Sequence, residues 1–436
     1  MSYKWPLVKL DNIKAHTKYS CVGGPFGSSL SRKHYTEEGV PVLRGVNLGS
    51  DQFFDSDFVY VSKEKAAELH RNMAYPNDVV FTQRGTLGQV AIIPQNARYS
   101  SYVVSQSQMK LTVNSEIAHP YYIYSFFRTD KAKQQIETHA IVGGVPHINL
   151  GILKALEIPL PPLNIQKKIV NIIRSIDQKI TLNTQTNQTL EEMAQAIFKS
   201  WFVDFDPVKA KMNGEQPEGM DAATASLFPE KLVESELGLI PEGWDVGTLS
   251  DVAKYCSART KTDSITLENY ISTENMLAEK KGVTAASKLP TAKTVAAYKS
   301  GDILVSNIRP YFKKIWLAEG SGGRSNDVLG FESVSANTES YLMNVLYQDT
   351  FFEYMTRTSK GAKMPRGDKT AIMNWEMAVP PVELREAFSA IVDKFYQLIP
   401  QNRAQNATLE SLRDMLLPKL LSGELSLTDS LEVTNV

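Results

Sequence analysis

The chain has 436 residues, with 47 Lys and Arg against 48 Asp and Glu, for a formal net charge of −1. This length predicts two or three domains, and 42% hydrophobic with 22% charged residues is a globular composition that excludes a disordered or fibrous chain. Two distant cysteines, the lack of an apolar run of about 18 residues and a polar N-terminus exclude a disulfide framework, a membrane span and a signal peptide, so we expect a cytoplasmic protein that contacts no membrane.

The first 160 residues carry a mixture of strand and helix patterns. Short β-branched or alternating apolar runs predict strands, and apolar residues three or four apart predict helices. We therefore expect a mixed α/β domain over residues 1–160. Its predicted strands are 40–48, 78–83, 89–94 and 103–113, and its predicted helices are 62–71 and 120–137.

Residues 161–206 predict one long helix. Apolar residues recur there in steps of three and four, a heptad pattern over about 35 residues, or about 50 Å of helix. Such a length exceeds what a globular domain usually needs, although an amphipathic helix packed on its own domain would show the same pattern. Polar Asn183 and Asn187 interrupt the pattern at its middle. The predicted contact residues of this helix are Ile169, Ile172, Ile176, Ile180, Leu190, Ile197 and Trp201.

The rest of the chain repeats this order after a connector. Residues 207–242 are rich in Pro and Gly and predict the connector. A second mixed domain is expected over 243–381, a second long helix over 382–423 and a tail over 424–436. Asn402 and Gln405 interrupt the second helical pattern. The predicted strands of the second mixed domain are 269–273, 302–308 and 314–319, and its predicted helix is 340–357. The predicted contact residues of the second long helix are Phe388, Phe395, Leu398, Leu409, Leu412 and Leu416.

The two halves also repeat one another in sequence. Leu156–Pro162 (LEIPLPP) matches Trp375–Pro381 (WEMAVPP) at an offset of 219 residues, and Pro146 falls on Pro365 at the same offset. A period this long indicates a duplicated domain rather than a solenoid. We therefore expect an α+β fold of two mixed domains separated by two long helices, which pair antiparallel as a coiled coil about a pseudo-twofold axis. Polar residues within the seam would set its register.

The motifs of a catalytic chain are missing. Gly361–Thr370 looks like a phosphate-binding loop, but it has five residues between its glycines, and Asp368 would repel the phosphates. The histidines lack the spacing of a zinc site. The Asn-Pro-Pro-aromatic sequence of amino-methyltransferases is also absent. The sequence therefore predicts a chain that is not an enzyme and that binds no metal or cofactor itself.

Two predicted hairpins end in polar tips, at residues 83–89 (QRGTLGQ) and 307–314 (NIRPYFKK). Arg pairs with guanine, and Asn or Gln with adenine, through two hydrogen bonds, whereas the compact charge of Lys suits phosphates. Hairpins at a protein surface are often polar without any function, but the occurrence of the same polar tip in both halves favours contact with DNA. The candidate DNA-binding residues are Gln83, Arg84, Thr86, Gln89, Arg32, Lys33, His34, Arg44, Asn47, Asn307, Arg309, Tyr311, Lys313, Lys314, Arg259, Lys261, Lys363 and Arg366.

Four motifs in this order carry a resemblance to a known family. EIPLPP at Glu157–Pro162 precedes the first long helix, WFVDFDP at Trp201–Pro207 follows it, IPEGW at Ile240–Trp244 opens the second half, and LLPKLLSGE at Leu416–Glu424 ends the last helix. Across essentially the whole chain, the layout resembles the specificity subunit of type I restriction–modification systems.

The resemblance implies two target-recognition domains, each of which reads one half of a split DNA site. It implies double-stranded DNA, two methyltransferase subunits and motor/nuclease restriction subunits as partners. S-adenosylmethionine, ATP and Mg²⁺ would belong to those partners only. Because the two target-recognition domains differ in sequence, they would read an asymmetric bipartite target. A coiled-coil adaptor whose end domains bind proteins is the alternative, although it gives the basic hairpins no role.

The net charge does not exclude DNA. Residues 1–160 hold 17 basic and 13 acidic side chains, and residues 243–381 hold 17 and 15, so both domains are mildly basic. The acidic excess lies in the connector and the C-terminal segment. Because phosphate contacts supply much of the affinity for DNA, we expect the chain alone to bind DNA weakly and to need its partners for tight binding.

Overall fold

The computed structural model describes residues 4–425 and 427. These residues form two compact units, of which the first is built from two separate stretches of the chain and the second from one continuous stretch. The first unit joins the described residues up to Leu182 with those from Gln405 onward, and the second unit is Asn183–Ala404. Both long helices are therefore divided between the units.

The first half of the chain contains short strands, short helices and one very long helix. From residue 4 to residue 202 the elements are β1 (Leu7–Lys9), β2 (Cys21–Gly23), β3 (Tyr35–Thr36), β4 (Val40–Leu43), β5 (Val59–Val61), α1 (Lys63–Glu68), β6 (Met73–Ala74), β7 (Val79–Thr82), β8 (Val90–Ile92), β9 (Tyr102–Val104), β10 (Gln108–Leu111), α2 (Pro120–Phe127), α3 (Asp130–Thr138), α4 (Leu150–Ala155), β11 (Glu157–Pro159) and α5 (Leu163–Phe202).

The first mixed domain contains two larger sheets besides the antiparallel pair β1–β11. An antiparallel sheet has the strand order β2-β10-β7-β8, and a mixed sheet has the order β3-β5-β4-β9-β6, with β4 and β9 parallel. The apolar run 103–113, predicted as one strand, is two strands in different sheets, because a turn at residues 105–107 separates β9 from β10. The predicted helix 120–137 is broken at Thr129, whose extended backbone and side-chain oxygen cap α3.

The second half contains the corresponding elements. From residue 203 the chain forms α6 (Asp206–Met212), α7 (Ala222–Ser226), β12 (Leu232–Ser235), β13 (Gly238–Pro241), β14 (Asp245–Thr248), β15 (Ala253–Tyr255), β16 (Arg259–Lys261), β17 (Tyr270–Ile271), β18 (Thr294–Tyr298), β19 (Ile303–Ser306), β20 (Ile315–Leu317), β21 (Gly322–Arg324), β22 (Val328–Ser333), α8 (Glu339–Tyr347), α9 (Asp349–Arg357), α10 (Lys369–Met373), β23 (Glu376–Val379) and α11 (Val382–Ser422).

The sheets of the second domain repeat those of the first. The order β15-β22-β19-β20 matches β2-β10-β7-β8, and β14 pairs with β23 as β1 pairs with β11. The parallel pair β17–β21 corresponds to β4–β9. The helix break also recurs, since extended Gln348 separates α8 from α9. The predicted duplication of a mixed α/β domain is confirmed.

The long helices α5 and α11 run antiparallel within each unit. In the first unit, Arg413 lies 3.2 Å from Asp177 and the Asn406 amide donates to Ile180 O at 3.3 Å, so residue numbers rise on one helix as they fall on the other. Apolar side chains from both helices join the core of each domain. The predicted pair of long antiparallel helices is confirmed.

The polar interruption of the seam is a hydrogen-bonded pair. In the second unit, the Asn402 amide donates to the Asn187 side-chain oxygen at 2.8 Å, and the Asn187 amide donates to Ile399 O at 3.3 Å. Buried amides satisfied in this way favour one register, because a shifted register would leave them without partners.

The seam differs from the heptad prediction at two positions. Leu398 and Leu412 are 39% and 37% exposed, whereas neighbouring Ile399 is buried. A straight helix of 3.6 residues per turn drifts from a seven-residue repeat, and the domains cover part of each helix as well. Of the other predicted contact residues, Ile169, Ile180, Trp201 and Phe388 are buried, and Ile172, Ile176, Leu190, Ile197, Phe395, Leu409 and Leu416 are half-buried.

Candidate nucleic-acid interface

The turn between β7 and β8 in the first unit presents Arg84 and Thr86 to solvent. The backbone N–H groups of Gln83 and Arg84 donate to Ser107 O at 2.7 and 3.3 Å, which anchors the base of the turn on the β9–β10 connection. Gly85 has a φ of +104°, a conformation that favours glycine. Gln83 and Gln89 are half-buried. The sheet therefore holds the turn in place and leaves its tip open.

A second turn, the 141–147 loop, lies directly beside this tip. Ile141 and His147 exchange backbone hydrogen bonds at 2.8 and 3.3 Å, and His147 also forms a bridge with Arg84. Ile148 N donates to Gln83 O at 3.0 Å. The sequence prediction missed this loop in the first half. Its signal was the offset of 219 residues, which aligns Pro146 and His147 with Pro365 and the predicted Arg366.

A third segment, residues 23–34, contacts the same region. The Gln106 amide on the β9–β10 connection donates to Gly27 O and, at 2.8 Å, to Leu30 O. Gly23 approaches the tip so closely that a Cβ there would lie 3.1 Å from the Gln83 side-chain oxygen. The segment ends with Arg32 and Lys33, which are exposed, and with half-buried His34, whose ring nitrogen accepts from Ser31 N at 3.1 Å.

The second unit repeats the pair of turns. Residues 307–314 connect β19 to β20, and the 360–367 loop lies beside them, closed by two backbone hydrogen bonds between Lys360 and Arg366 at 2.8 and 2.9 Å. Arg309 N donates to Pro365 O at 2.8 Å, and Gly367 N donates to Asn307 O at 3.1 Å. The structure thus brings the two predicted basic segments of this half together.

Several side chains of the second interface are held by neighbours. Lys313 lies 3.0 Å from Asp349, and hydrogen bonds from Lys280 and Lys313 hold the pKa of that carboxyl below its ordinary value. Lys314 donates to Thr273 O at 2.6 Å, and burial lowers its pKa. The Arg366 guanidinium donates to Asp327 at 3.1 Å, while Tyr311 and Lys363 are exposed.

Two predicted base-reading amides are buried instead. Asn47 follows β4 in a 3-10 turn rather than in the predicted strand 40–48. Its oxygen accepts from Arg44 N at 2.9 Å, and its amide donates to Phe54 O and Ser56 O, so it organises its own loop. Asn307 is also buried, and a Cβ at Gly367 would lie 2.7 Å from its side-chain oxygen. DNA contact by these two amides does not agree with their burial.

The remaining candidates are Arg44, Arg309, Arg259 and Lys261. Arg44 is half-buried and donates to Asp57 O at 2.7 Å. Arg309 is half-buried in a left-handed conformation at φ +50°. Arg259 on β16 donates to Thr294 O at 2.9 Å, and Lys261 on the same strand is exposed. Base contact by any of these residues stays a prediction.

The described ranges contain neither a metal-ligand cluster nor a membrane-spanning helix. Within residues 4–425 and 427, no group of three or more His, Cys, Asp or Glu residues could hold a metal ion. None of the helices described in the same ranges has the length and hydropathy needed to cross a lipid bilayer.

Comparison with known proteins identifies relatives along most of the chain. Residues 31–192 match the model of the type I restriction modification DNA specificity domain. The chain is 25% identical over 410 residues to the type I restriction enzyme HindI specificity subunit of Haemophilus influenzae, with 79% of this chain and 87% of the relative covered. It is 26% identical over 451 residues to the type I restriction enzyme MjaIX specificity subunit of Methanocaldococcus jannaschii, with coverages of 97% and 93%.

A solved structure shares the fold. The S subunit of a type I restriction–modification system from M. genitalium superposes with a TM-score of 0.54, at 14% identity and with 96% of each chain covered. The architecture of two mixed domains and two long helices is therefore one that a known S subunit has. The chain as a whole is therefore similar to type I specificity subunits, as its sequence motifs indicated, and its residues 31–192 match the family model of their DNA specificity domain.

Proposed function

We propose that this chain is the non-catalytic DNA-specificity subunit of a type I restriction–modification complex, and that each mixed domain reads one half of a bipartite target. The observation that carries the proposal is the pair of adjacent turns in each unit, 83–89 with 141–147 and 307–314 with 360–367. A rigid sheet and a second turn hold each tip, as recognition of base edges requires.

The two tips differ in chemistry, which supports an asymmetric target. The first presents Arg84 and Thr86, and the second presents Tyr311, Lys363 and Arg366. Each long helix has about 40 residues and a length of about 60 Å. One turn of DNA is about 34 Å, so helices of this length support a target in which two short motifs flank unread base pairs.

The proposed partners follow from the relatives and from the charge. The relatives are named as specificity subunits of type I restriction enzymes. We expect two methyltransferase subunits and, in the complete enzyme, restriction subunits, which would bind S-adenosylmethionine, ATP and Mg²⁺. With a net charge of −1, the chain would depend on these subunits for much of its phosphate contact.

Methylome sequencing tests the proposal. Cells that express this chain together with its methyltransferase partner should carry methylation at one asymmetric, bipartite motif. Replacing residues 1–160 by the corresponding domain of another such subunit should change one half of the motif only. Methylation that is absent, or unchanged after the replacement, would contradict the proposal and favour the adaptor role.

Arg84→Ala tests the first tip. The Arg84 side chain is exposed near the start of the 83–89 turn and makes no ion pair with the described residues. If Arg84 forms two hydrogen bonds to a guanine, the variant should lose about 1–3 kcal/mol of binding to the cognate site, and the loss should be confined to one half-site. Fluorescence anisotropy of the complex with cognate and half-site-mutated duplexes measures this loss.

Arg98→Ala is the matched control for Arg84. Arg98 is an exposed arginine of the same domain, in the connection between β8 and β9, where its guanidinium lies 5.3 Å from the Tyr99 ring centre. Its removal should leave discrimination unchanged. If Arg84→Ala lowers the affinity equally for all DNA sequences, Arg84 contacts a phosphate. If the affinity does not change, Arg84 is not part of the interface.

A further inference from the structure

The two most exposed large apolar side chains of the described residues flank the Arg84 tip. Phe26 is 85% exposed and Val142 is 82% exposed. Single exposed apolar residues are ordinary, but a phenylalanine and a valine standing almost free beside one polar tip are not needed by the fold. Their exposure is therefore typical of a surface that a binding partner covers.

The geometry ties both side chains to the tip. Phe26 lies in the 23–34 segment, which the Gln106 side chain holds against the connection that also anchors Arg84. Val142 lies in the 141–147 loop, which bridges to Arg84 through His147. The loop continues with Gly143 and Gly144, at which a Cβ would meet no atom within 4 Å. Nothing in the described chain approaches this surface.

The charges around these residues indicate a polyanion rather than an apolar protein surface. Arg32 and Lys33 are exposed on the 23–34 segment, and Arg84 is exposed on the 83–89 turn. Proteins that deform DNA combine cationic contacts to the backbone with Phe, Leu, Ile, Met or Pro side chains that enter between base pairs. Insertion between base pairs removes an exposed apolar side chain from water. The favourable free energy of this transfer offsets part of the cost of unstacking the bases.

The second unit contains a weaker version of the same arrangement. Met364 occupies the position of Val145 in the repeat and is 47% exposed, next to exposed Lys363. Tyr311 on the neighbouring turn is exposed as well. An apolar side chain beside basic groups therefore occurs at both interfaces.

We infer that Phe26 and Val142 form an apolar wedge that enters the DNA duplex at the half-site read by the first domain and unstacks one base step there. This inference rests on the proposed function. The wedge holds a kinked duplex against the Arg84 tip, so it contributes to recognition through the deformability of the step rather than through base edges.

The test uses the chain bound to its methyltransferase partner and a duplex with the motif found by methylome sequencing. 2-Aminopurine is placed in turn at each adenine of the first half-site except the methylated one, because methyltransferases flip that base themselves. Donor and acceptor dyes at the duplex ends report bending. The wild-type complex should show a fluorescence rise at one step and a kink of about 20–90°. The variant Phe26→Ser with Val142→Ser should abolish both signals.

Val334→Ser is the matched control, since Val334 is an exposed valine of the second unit outside both tips. It should leave both signals unchanged. A straight, fully stacked wild-type duplex, or equal signals in the double variant, would overturn the wedge and leave the proposed function standing. Failure of the double variant to co-purify with the methyltransferase would assign the two side chains to a protein contact and overturn it too. Failure of the wild-type complex to bind any duplex with the mapped motif would overturn the proposed function itself.

Discussion

Replacing Asp177 by Ala is expected to lower the free energy of unfolding of the first unit by about 3–5 kcal/mol. Asp177 on α5 accepts hydrogen bonds from Tyr121 at 2.6 Å and from Arg128 at 2.6 and 3.2 Å, and Arg413 on α11 lies 3.2 Å away. The Arg128 side chain is only 7% exposed. Without the carboxylate, the Arg128 guanidinium would remain in a largely dry site without its counter-ion, whereas Arg413 would keep its ion pair with Asp414 at 2.9 Å.

The pH dependence of this contribution follows from the pKa of Asp177. Burial by itself would raise this pKa, but the hydrogen bonds of Arg128 and Tyr121 and the charge of Arg413 bring it below its ordinary value. Because the folded-state pKa is lower than the unfolded value of about 3.9, the stabilisation is fully present above the unfolded pKa. It is lost as the pH falls through the folded-state pKa.

Urea denaturation at several pH values, followed by hydrogen exchange of α2 and α5, measures the effect. Wild-type protein should lose stability at acidic pH more steeply than Asp177→Asn, which has no carboxylate to protonate. Glu192→Ala, on an exposed position of the same helix, should change stability by no more than about 0.5 kcal/mol. Additive losses in the double variant Asp177→Ala with Arg128→Ala would show that the two side chains are not coupled.

Replacing Asp78 by Ala is expected to lower the free energy of unfolding of the first unit by about 3–5 kcal/mol. Asp78 precedes β7, and its carboxylate accepts from Lys110 Nζ at 3.0 Å, from the Thr112 hydroxyl and from Tyr75 N at 2.9 Å. The side chains of Lys110 and Asp78 are 4% and 2% exposed. The variant would leave a buried ammonium group in the middle of the sheet without its counter-ion, with the Thr112 hydroxyl at 2.7 Å and the Tyr75 ring centre at 5.8 Å.

The duplication supplies a matched comparison for Asp78. Asp302 precedes β19 in the same way and accepts from Lys299 N at 2.9 Å. Gly330 stands in the register position of Lys110, and the buried cation beside it is Arg324, which donates to Val328 O at 2.6 Å and Cys256 O at 2.9 Å. Because Arg324 keeps these acceptors, replacing Asp302 by Ala should lower the free energy of unfolding by only about 1 kcal/mol.

Chemical denaturation of the full chain with hydrogen exchange of β7, β10, β19 and β22 measures both losses. The double variant Asp78→Ala with Lys110→Met should recover most of the stability, since replacing a whole buried ion pair by apolar side chains is often close to neutral. A double variant as unstable as Asp78→Ala would indicate that the loss comes from the Tyr75 turn and not from the orphaned charge.

Much of the fold was accessible from local patterns. The strand β7, the helix α1 and both long helices were predicted from the apolar residues of their own segments, although polar residues interrupt the pattern at the middle of each long helix. The wrong predictions of strand and helix bounds lie where a polar residue that caps a helix or closes a loop interrupts an apolar run. Thr129 caps a new helix inside an apolar run, and Asn47 closes a loop just after β4. Both are polar residues whose hydrogen bonds to nearby backbone compete with regular structure.

The sequence by itself determined the duplication, the two mixed domains with their long helices and the resemblance to type I specificity subunits, because these features are encoded in local periodicity and in the order of motifs. Only the tertiary structure decided which polar residues face solvent. It pairs Arg84 with the 141–147 loop and buries Asn307 beneath Gly367. Such contacts join residues about 60 positions apart in the chain, and no local pattern specifies them, since they depend on how complete sheets and turns pack.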